Sequence, residues 1–226
     1  RNDVTPEILA QVQGVQVSSE GQSRDQEKMQ RSMRSAFSVA LIAMFILIVL
    51  VFRSYLQAAL IFSILPLGIF GAVWGHGIQG IQINTLSIYG FIALSGIIVN
   101  DSIVLIDQIN RNLKAGKSVF NAVFVSGVAR LRPILLTTLT TSIGLAPLIF
   151  EKSRQAQFLI PMAVSVAYGL LFATFILLLL LPAAFLVQNR FRYWWARYIL
   201  GREVTAESVE PAIKELKNVG EMENAY

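Results

Sequence analysis

The feature that most constrains this chain is where its charge is missing. Five apolar runs lie along it, at residues 36–52, 58–74, 86–106, 133–150 and 158–187. The 226 residues include 19 basic and 14 acidic side chains, and only Asp101 falls inside a run. A helix rises about 1.5 Å per residue and the hydrocarbon core of a bilayer is about 30 Å thick, so runs of this length predict membrane spans. The expected fold is an all-α integral membrane bundle of five transmembrane helices. With 54% hydrophobic residues, the composition excludes a disordered chain, a collagen and a disulfide scaffold. The placement of charge argues against a soluble enzyme. Cysteine is absent, which leaves the redox compartment open.

The segments between the runs set the organisation. Residues 1–35 are polar: Gly14–Ser18 reads as the end of a strand, and Gln22–Arg34 as a helix leading straight into the first span. A single strand is not a domain. Residues 1–35 are therefore expected to be the end of a larger extramembrane domain and its lead-in helix, which makes the chain part of something larger. Arg53-Ser54-Tyr55 marks a tight interfacial turn. Pro66, Gly68 and Gly71 lie in the second run, where a membrane helix tolerates them. His76, just beyond it, is expected at the interface. Residues 107–132 form a basic connector. Within 117–129, Val119, Phe120, Val123 and Phe124 share one helical face, which predicts an amphipathic helix lying in the membrane surface. The fourth span is expected to open at Pro133. At 30 residues, the fifth must tilt, kink or project. Arg190 to Tyr198 alternates cations with aromatics, the pattern of an interfacial anchor. The remainder to 226 is a tail with a short helix at Val209–Lys217.

Orientation follows from the loops. Arg53, Arg111, Lys114, Lys117, Arg130, Arg132, Arg190, Arg192, Arg197 and Arg202 fall on one side, and the short loops of the other hold only Lys152 and Arg154. Arg24, Lys28, Arg31 and Arg34 of the N-terminal segment are set aside, because large domains translocate regardless of charge. Positive residues favour the cytoplasm, so the C-terminus is expected inside and the N-terminal segment outside. The net charge of +5 thus answers to the lipid, and no nucleic-acid partner is expected.

Asp101 carries the chemical interest. A carboxylate at mid-span costs several kcal/mol by any scale and must be paired, protonated or wetted. Leaving water disfavours its charged form, so proton uptake near neutral pH becomes feasible. At 100° per residue, Gly90, Ala93, Ile97, Asn100, Asp101, Val104 and Asp107 share a small, polar face. Such a face is expected to pack on other helices and not on lipid. The fourth run offers hydroxyls at Thr137, Thr138, Thr140 and Thr141. They either bond across helices or merely bond carbonyls one turn back. One histidine, no cysteine, no phosphate-cradling glycine loop and no paired metal ligands leave no enzyme signature. No metal site and no cofactor is expected.

The stretch Gly96-Ile97-Ile98-Val99-Asn100-Asp101-Ser102-Ile103-Val104-Leu105-Ile106-Asp107 resembles a membrane helix of resistance–nodulation–division (RND) efflux transporters of the acriflavine-resistance (AcrB/AcrD/AcrF) type. Phe52-Arg53-Ser54-Tyr55, Pro66-Leu67-Gly68 and Arg130-Leu131-Arg132-Pro133-Ile134-Leu135-Leu136-Thr137-Thr138 extend the resemblance, in order, over about residues 30–190. It implies that the chain is the last five spans of a proton-driven exporter of drugs or small amphiphiles in a bacterial inner membrane, with residues 1–35 as the end of a periplasmic α+β porter domain. Implied partners are the missing N-terminal half, two further copies in a homotrimer, a periplasmic adaptor and an outer-membrane channel. It also implies a proton relay, with Thr137 on the family's threonine position and Arg130 on its arginine position. The best-known members carry a lysine where this chain has Asn100, followed by Asp101. The expected relay set is Asp101, Asn100, Thr137, Thr138, Thr141 and Arg130. A contrasting expectation is a non-transporting helical scaffold, or a half-module that pairs with another half.

Overall fold

The computed structural model describes residues 22–199 and 205–216. The strand expected at Gly14–Ser18 lies outside them. The chain divides into two units, residues 1–40 and 41–226. In the first, the described residues are helical, and the hydroxyls of Ser35 and Ser38 bond the carbonyls of Ser32 and Arg34. The helix, α1, spans Gln22–Phe52, as a lead-in running directly into the first span requires.

The second unit is built by local signals at each turn. Arg53 takes a positive φ of 48°, and the Ser54 hydroxyl accepts from the Gln57 amide to start α2 (Tyr55–Phe62). Ser63 and Ile64 interrupt the helix for one step. Pro66 then occupies the first turn of α3 (Leu65–Gln79), where its missing N–H costs nothing. Gly80 ends α3 with φ 65° and donates to the His76 and Gly77 carbonyls, a left-handed cap that favours glycine. Asn84 accepts from the Leu86 and Ser87 amides, and Ser87 Oγ accepts from the Asn84 amide in return. This capping box opens α4 (Thr85–Lys114). There follow α5 (Val119–Ile149), the single turn α6 (Arg154–Gln157) and α7 (Ile160–Trp194). A wider π-type turn, Trp195–Ile199, extends α7. A last helix, α8, covers 211–216, close to the one expected at Val209–Lys217.

Among the described residues, five stretches are long and apolar enough to cross a membrane: Lys28–Phe52, Tyr55–Gln79, Thr85–Lys114, Val119–Ile149 and Ile160–Tyr198. Among the described residues there is no strand. The all-α five-span reading therefore holds. The amphipathic stretch 117–129 is helical from Val119, but it does not end before the fourth span. Pro133 lies inside α5. Good helix formers at Ala129 to Arg132 carry the helix through it, and one lost backbone bond is tolerated in a membrane helix. Val119 and Val123 turn into the core, while Phe120 and Phe124 stack on each other outside it.

Helix α7 is the hub, packing on α3, α4 and α5. Glycines permit the closest approach. A Cβ added at Gly71 would lie 2.4 Å from Cβ of Phe172, and one at Gly75 would lie 2.4 Å from Cβ of Tyr168. From the other side, Gly169 faces Leu94 and Ala72. Around this seam Leu94, Ile98, Leu105, Ile109, Leu177 and Phe185 are fully buried. The outer surface carries Leu136, Ile143, Phe175 and Leu179, all more than half exposed. Such a surface would be costly in water and is neutral in hydrocarbon.

His76 corrects an expectation. It is 2% exposed, not interfacial. Its Nδ1 lies 2.9 Å from the Ala72 carbonyl and its Nε2 2.8 Å from Ser87 Oγ. A carbonyl only accepts, so Nδ1 carries the proton and Ser87 donates to Nε2. This histidine ties α3 to the start of α4. At the opposite end, the last segment is clamped to α7. Asn189 donates to the Ala206 carbonyl and to Glu210, and Arg192 pairs with Glu210 at 2.8 Å and donates to Ser54 Oγ at 2.7 Å.

Candidate functional site

Helix α4 has two unlike sides. Leu94, Ile98, Ser102, Leu105 and Ile109 are covered by the bundle. On the other side Ala93, Gly96 and Asn100 are exposed, and Ile97, Asp101 and Val104 are half-buried. Of the small, polar face expected to pack on other helices, Gly90 is buried against Met162 and Ser165 of α7, and the part from Ala93 to Val104 is left exposed or half-buried by the described residues of this chain. The serines of α4 stay local, Ser95 and Ser102 each bonding a carbonyl one turn back.

The register between α4 and α5 is fixed by two side-chain bonds. Asn112 donates to Ser126 Oγ at 2.7 Å, and Arg130 Nη2 donates to Gln108 Oε1 at 3.0 Å. Each step of four residues back along α4 is matched by a step of four forward along α5. Two turns on, about 10 Å beyond the Gln108–Arg130 bond, this antiparallel register sets Asp101 and Thr137 at one height. Seven residues return a helix to nearly the same side, so Asp101 lies on the side of Gln108 and Thr137 on that of Arg130.

The six expected site residues divide accordingly. Asp101 makes no ion pair among the described residues, while Asp107 pairs with Arg111 at 2.8 Å. Asn100 is exposed beside it. Thr137 is exposed and bonds the Ile134 carbonyl, and Thr140 likewise bonds carbonyls of its own helix. Thr138 turns away from Asp101: it is 2% exposed and shares a 2.7 Å bond with Thr174 of α7. Thr141 is half-buried one turn further along. Arg130 binds Gln108, not an acid, and its buried Nε has no partner among the described residues. Asp101, Thr137 and Arg130 thus share one seam, and Thr138 belongs to another.

Two participants were not anticipated. Gln108 lies seven residues from Asp101, so helical spacing alone places it on that face. Thr174 sits in an unbroken apolar run, and nothing in the sequence marks it. Among the described residues no three His, Asp or Glu side chains converge as a metal site.

The sequence profile of the AcrB/AcrD/AcrF family matches residues 2–189. The chain belongs to this family of RND transporters. It is 32% identical over 152 residues to the cobalt-zinc-cadmium resistance protein CzcA of Cupriavidus metallidurans, covering 67% of this chain and 14% of that protein. It is 31% identical over 169 residues to the protein HelA of Legionella pneumophila, covering 74% and 16%. A crystal structure of a heavy metal efflux pump superposes with a TM-score of 0.68 at 27% identity, over 83% of this chain and 19% of the pump. A second crystal form gives 0.65 at 28% identity, over 81% and 18%. The chain therefore spans less than a fifth of these relatives. Its multi-pass helical bundle is the RND membrane fold.

Proposed function

We propose that this chain is the C-terminal membrane portion of an RND exporter of divalent metal cations, driven by protons taken up and released at Asp101. One observation carries the proton role. Among the described residues, Asp101 is a carboxylate without an ion pair on the open part of the α4 face, level with Thr137, and a guanidinium whose buried Nε has no partner lies two turns away. A carboxylate in hydrocarbon is functional by default. Rearrangement that alternately wets the site and brings it near Arg130 changes its proton affinity, because a nearby cation favours the charged form. Asn100 adds a neutral amide, which leaves Asp101 as the only acid within the apolar run 86–106. The uncovered face is the docking side for a helix of the other half, which supplies the remaining groups.

The metal cargo is supported by the relatives, named for cobalt, zinc and cadmium resistance and for heavy metal efflux. It replaces drugs or amphiphiles as the preferred substrate class. Cargo handling falls to parts of the transporter beyond these spans. The exporter is placed in the inner membrane with its C-terminus on the cytoplasmic side, ten basic loop residues against two supporting that sense. A homotrimer with a periplasmic adaptor and an outer-membrane channel follows from family membership.

The test uses the intact transporter in proteoliposomes under an imposed pH gradient. Zinc, cobalt and cadmium flux is read beside that of a cationic drug. Asp101→Asn should remove proton-linked flux by at least about a hundredfold, a loss typical of a proton-transfer group, with expression unchanged. Undiminished flux in that variant refutes the proton role. Drug flux without metal flux in the parent refutes the cargo.

A further inference from the structure

A cavity of about 560 Å³ opens where the last turns of α7, the first turn of α2 and the segment 205–216 meet. Its volume lies within the roughly 300–1,000 Å³ of small-molecule sites. Leu56, Phe191, Trp195 and Val209 form an apolar wall, and Arg192 and Lys214 stand at its edge. The uncharged run of α7 ends at Val187. Phe191 and Trp195, one and two turns further, therefore stand at headgroup depth, where amphipathic aromatics collect.

The charge on this rim is unbalanced. Glu210 neutralises Arg192, and Glu215 is shared by Arg53 at 3.5 Å and Lys114 at 2.8 Å. Lys214 is exposed and has no carboxylate partner among the described residues. Two cations, Arg192 and Lys214, line the cavity and no lining residue is acidic; Glu210 neutralises the first, so the lining keeps one positive charge beside an apolar wall. We propose that this cavity holds one anionic phospholipid, its phosphate against Lys214 and the start of an acyl chain along Leu56, Phe191 and Trp195. A zwitterionic lipid would bring its own cation to Lys214 and lose the attraction. Free phosphate would leave the apolar wall uncovered. The inference rests on membrane embedding alone and not on the proposed cargo or proton route.

Native mass spectrometry of the intact transporter tests it, with phosphatidylglycerol and phosphatidylcholine of the same acyl chains. The parent should retain one more phosphatidylglycerol than phosphatidylcholine per protomer. Lys214→Glu should lower that occupancy at least about fivefold, the weight of one basic group near a lipid surface. Lys214→Arg should keep it, and Lys152→Glu, in the loop on the opposite side of the membrane, should leave it unchanged. Leu56→Trp fills the cavity with the charge intact and should also abolish it. Equal retention of the two lipids, an unaltered Lys214→Glu variant of parental size, or displacement by millimolar inorganic phosphate would each overturn the proposal.

Discussion

The two seams of this bundle are built on opposite principles. Between α3 and α7 the contact is dry and glycine-lined along its length, with backbones so close that Phe172 and Tyr168 occupy the space of missing side chains, and Gln79 donates to the Tyr168 hydroxyl at its end. Between α4 and α5 the contact is polar, tied at Asn112–Ser126 and Gln108–Arg130 and open beside Asp101. Without water in the hydrocarbon, helices associate by close packing and by satisfied polar pairs. The dry seam uses the first means, and it fixes one geometry because a packed core does not deform continuously. Among the described residues the polar seam leaves a carboxylate without an ion pair and a guanidinium N–H without a partner, so its geometry has a reason to change. A rigid frame thus holds one half of α4 while the other half faces outward.

Glycine substitutions test that contrast most strongly. At Gly71 and Gly75 the obstacle is a Cβ at 2.4 Å, fixed to its backbone and unable to rotate away. Alanine at either position should cost about 2–3 kcal/mol, the upper range of overpacking. At Gly68 the nearest atom is the tip of the Ile98 side chain, which can turn, and alanine there should cost about 1 kcal/mol. Gly96 and Gly144 face open space. Alanine at either should be neutral or slightly stabilising, by up to about 1 kcal/mol of helix propensity. Unfolding of the reconstituted protein in SDS measures all five. Equal losses at Gly71 and Gly96 would erase the distinction between the seams. If Gly96→Ala is stable yet inactive in the intact transporter, the open face of α4 is occupied there by a partner helix.

The threonines give a smaller test. Thr138–Thr174 belongs to the frame, and its bond is shared between two buried hydroxyls. A double-mutant cycle with Thr138→Val and Thr174→Val should give a coupling of about 0.6 kcal/mol, the usual worth of such a pair in a bilayer. Thr137→Val should leave stability unchanged within about 0.5 kcal/mol, because its hydroxyl only bonds its own helix. A reversal of these two results would mean that the hydroxyl of the open seam, and not that of the frame, is structural.

What the sequence made legible follows the same division. The five spans were readable because one solvent dictates them: a helix in hydrocarbon excludes charge along its whole length. The Arg53–Tyr55 turn and the Asp101 face were readable from local spacing. The assignment of single threonines was not, since Thr137 and Thr138 are adjacent and only tertiary packing decides which one meets α7. Pro133 misled for a related reason. Proline at a helix start is favoured, but a membrane helix also absorbs it inside, and the surrounding residues decide. His76 misled because its partner, Ser87, is fixed by a capping box formed across the loop.

The weakest expected effect lies at the end of the polar seam. Glu215 accepts a hydrogen bond from Lys114 Nζ, and this bond, aided by the charges of Lys114 and Arg53, holds its carboxyl below the usual carboxylate range. A depressed acid contributes its stabilisation in full above the unfolded value, near 4.5, and loses it as pH falls through the lower folded value. Both side chains are more than a third exposed, so solvent screening limits the pair to about 0.3 kcal/mol. The protection factors of the amides over 211–216, which divide out the intrinsic slowing of exchange toward acid, should therefore fall slightly between pH 6 and pH 3, and Lys114→Met should reduce that pH dependence. The Arg192–Glu210 pair, with side chains 11% and 1% exposed, should keep the segment docked at pH 6. Complete release of 211–216 in Lys114→Met at pH 6 would show that the exposed pair, and not the buried one, holds the tail. The rim beside the cavity would then be a mobile edge, not an extension of the frame.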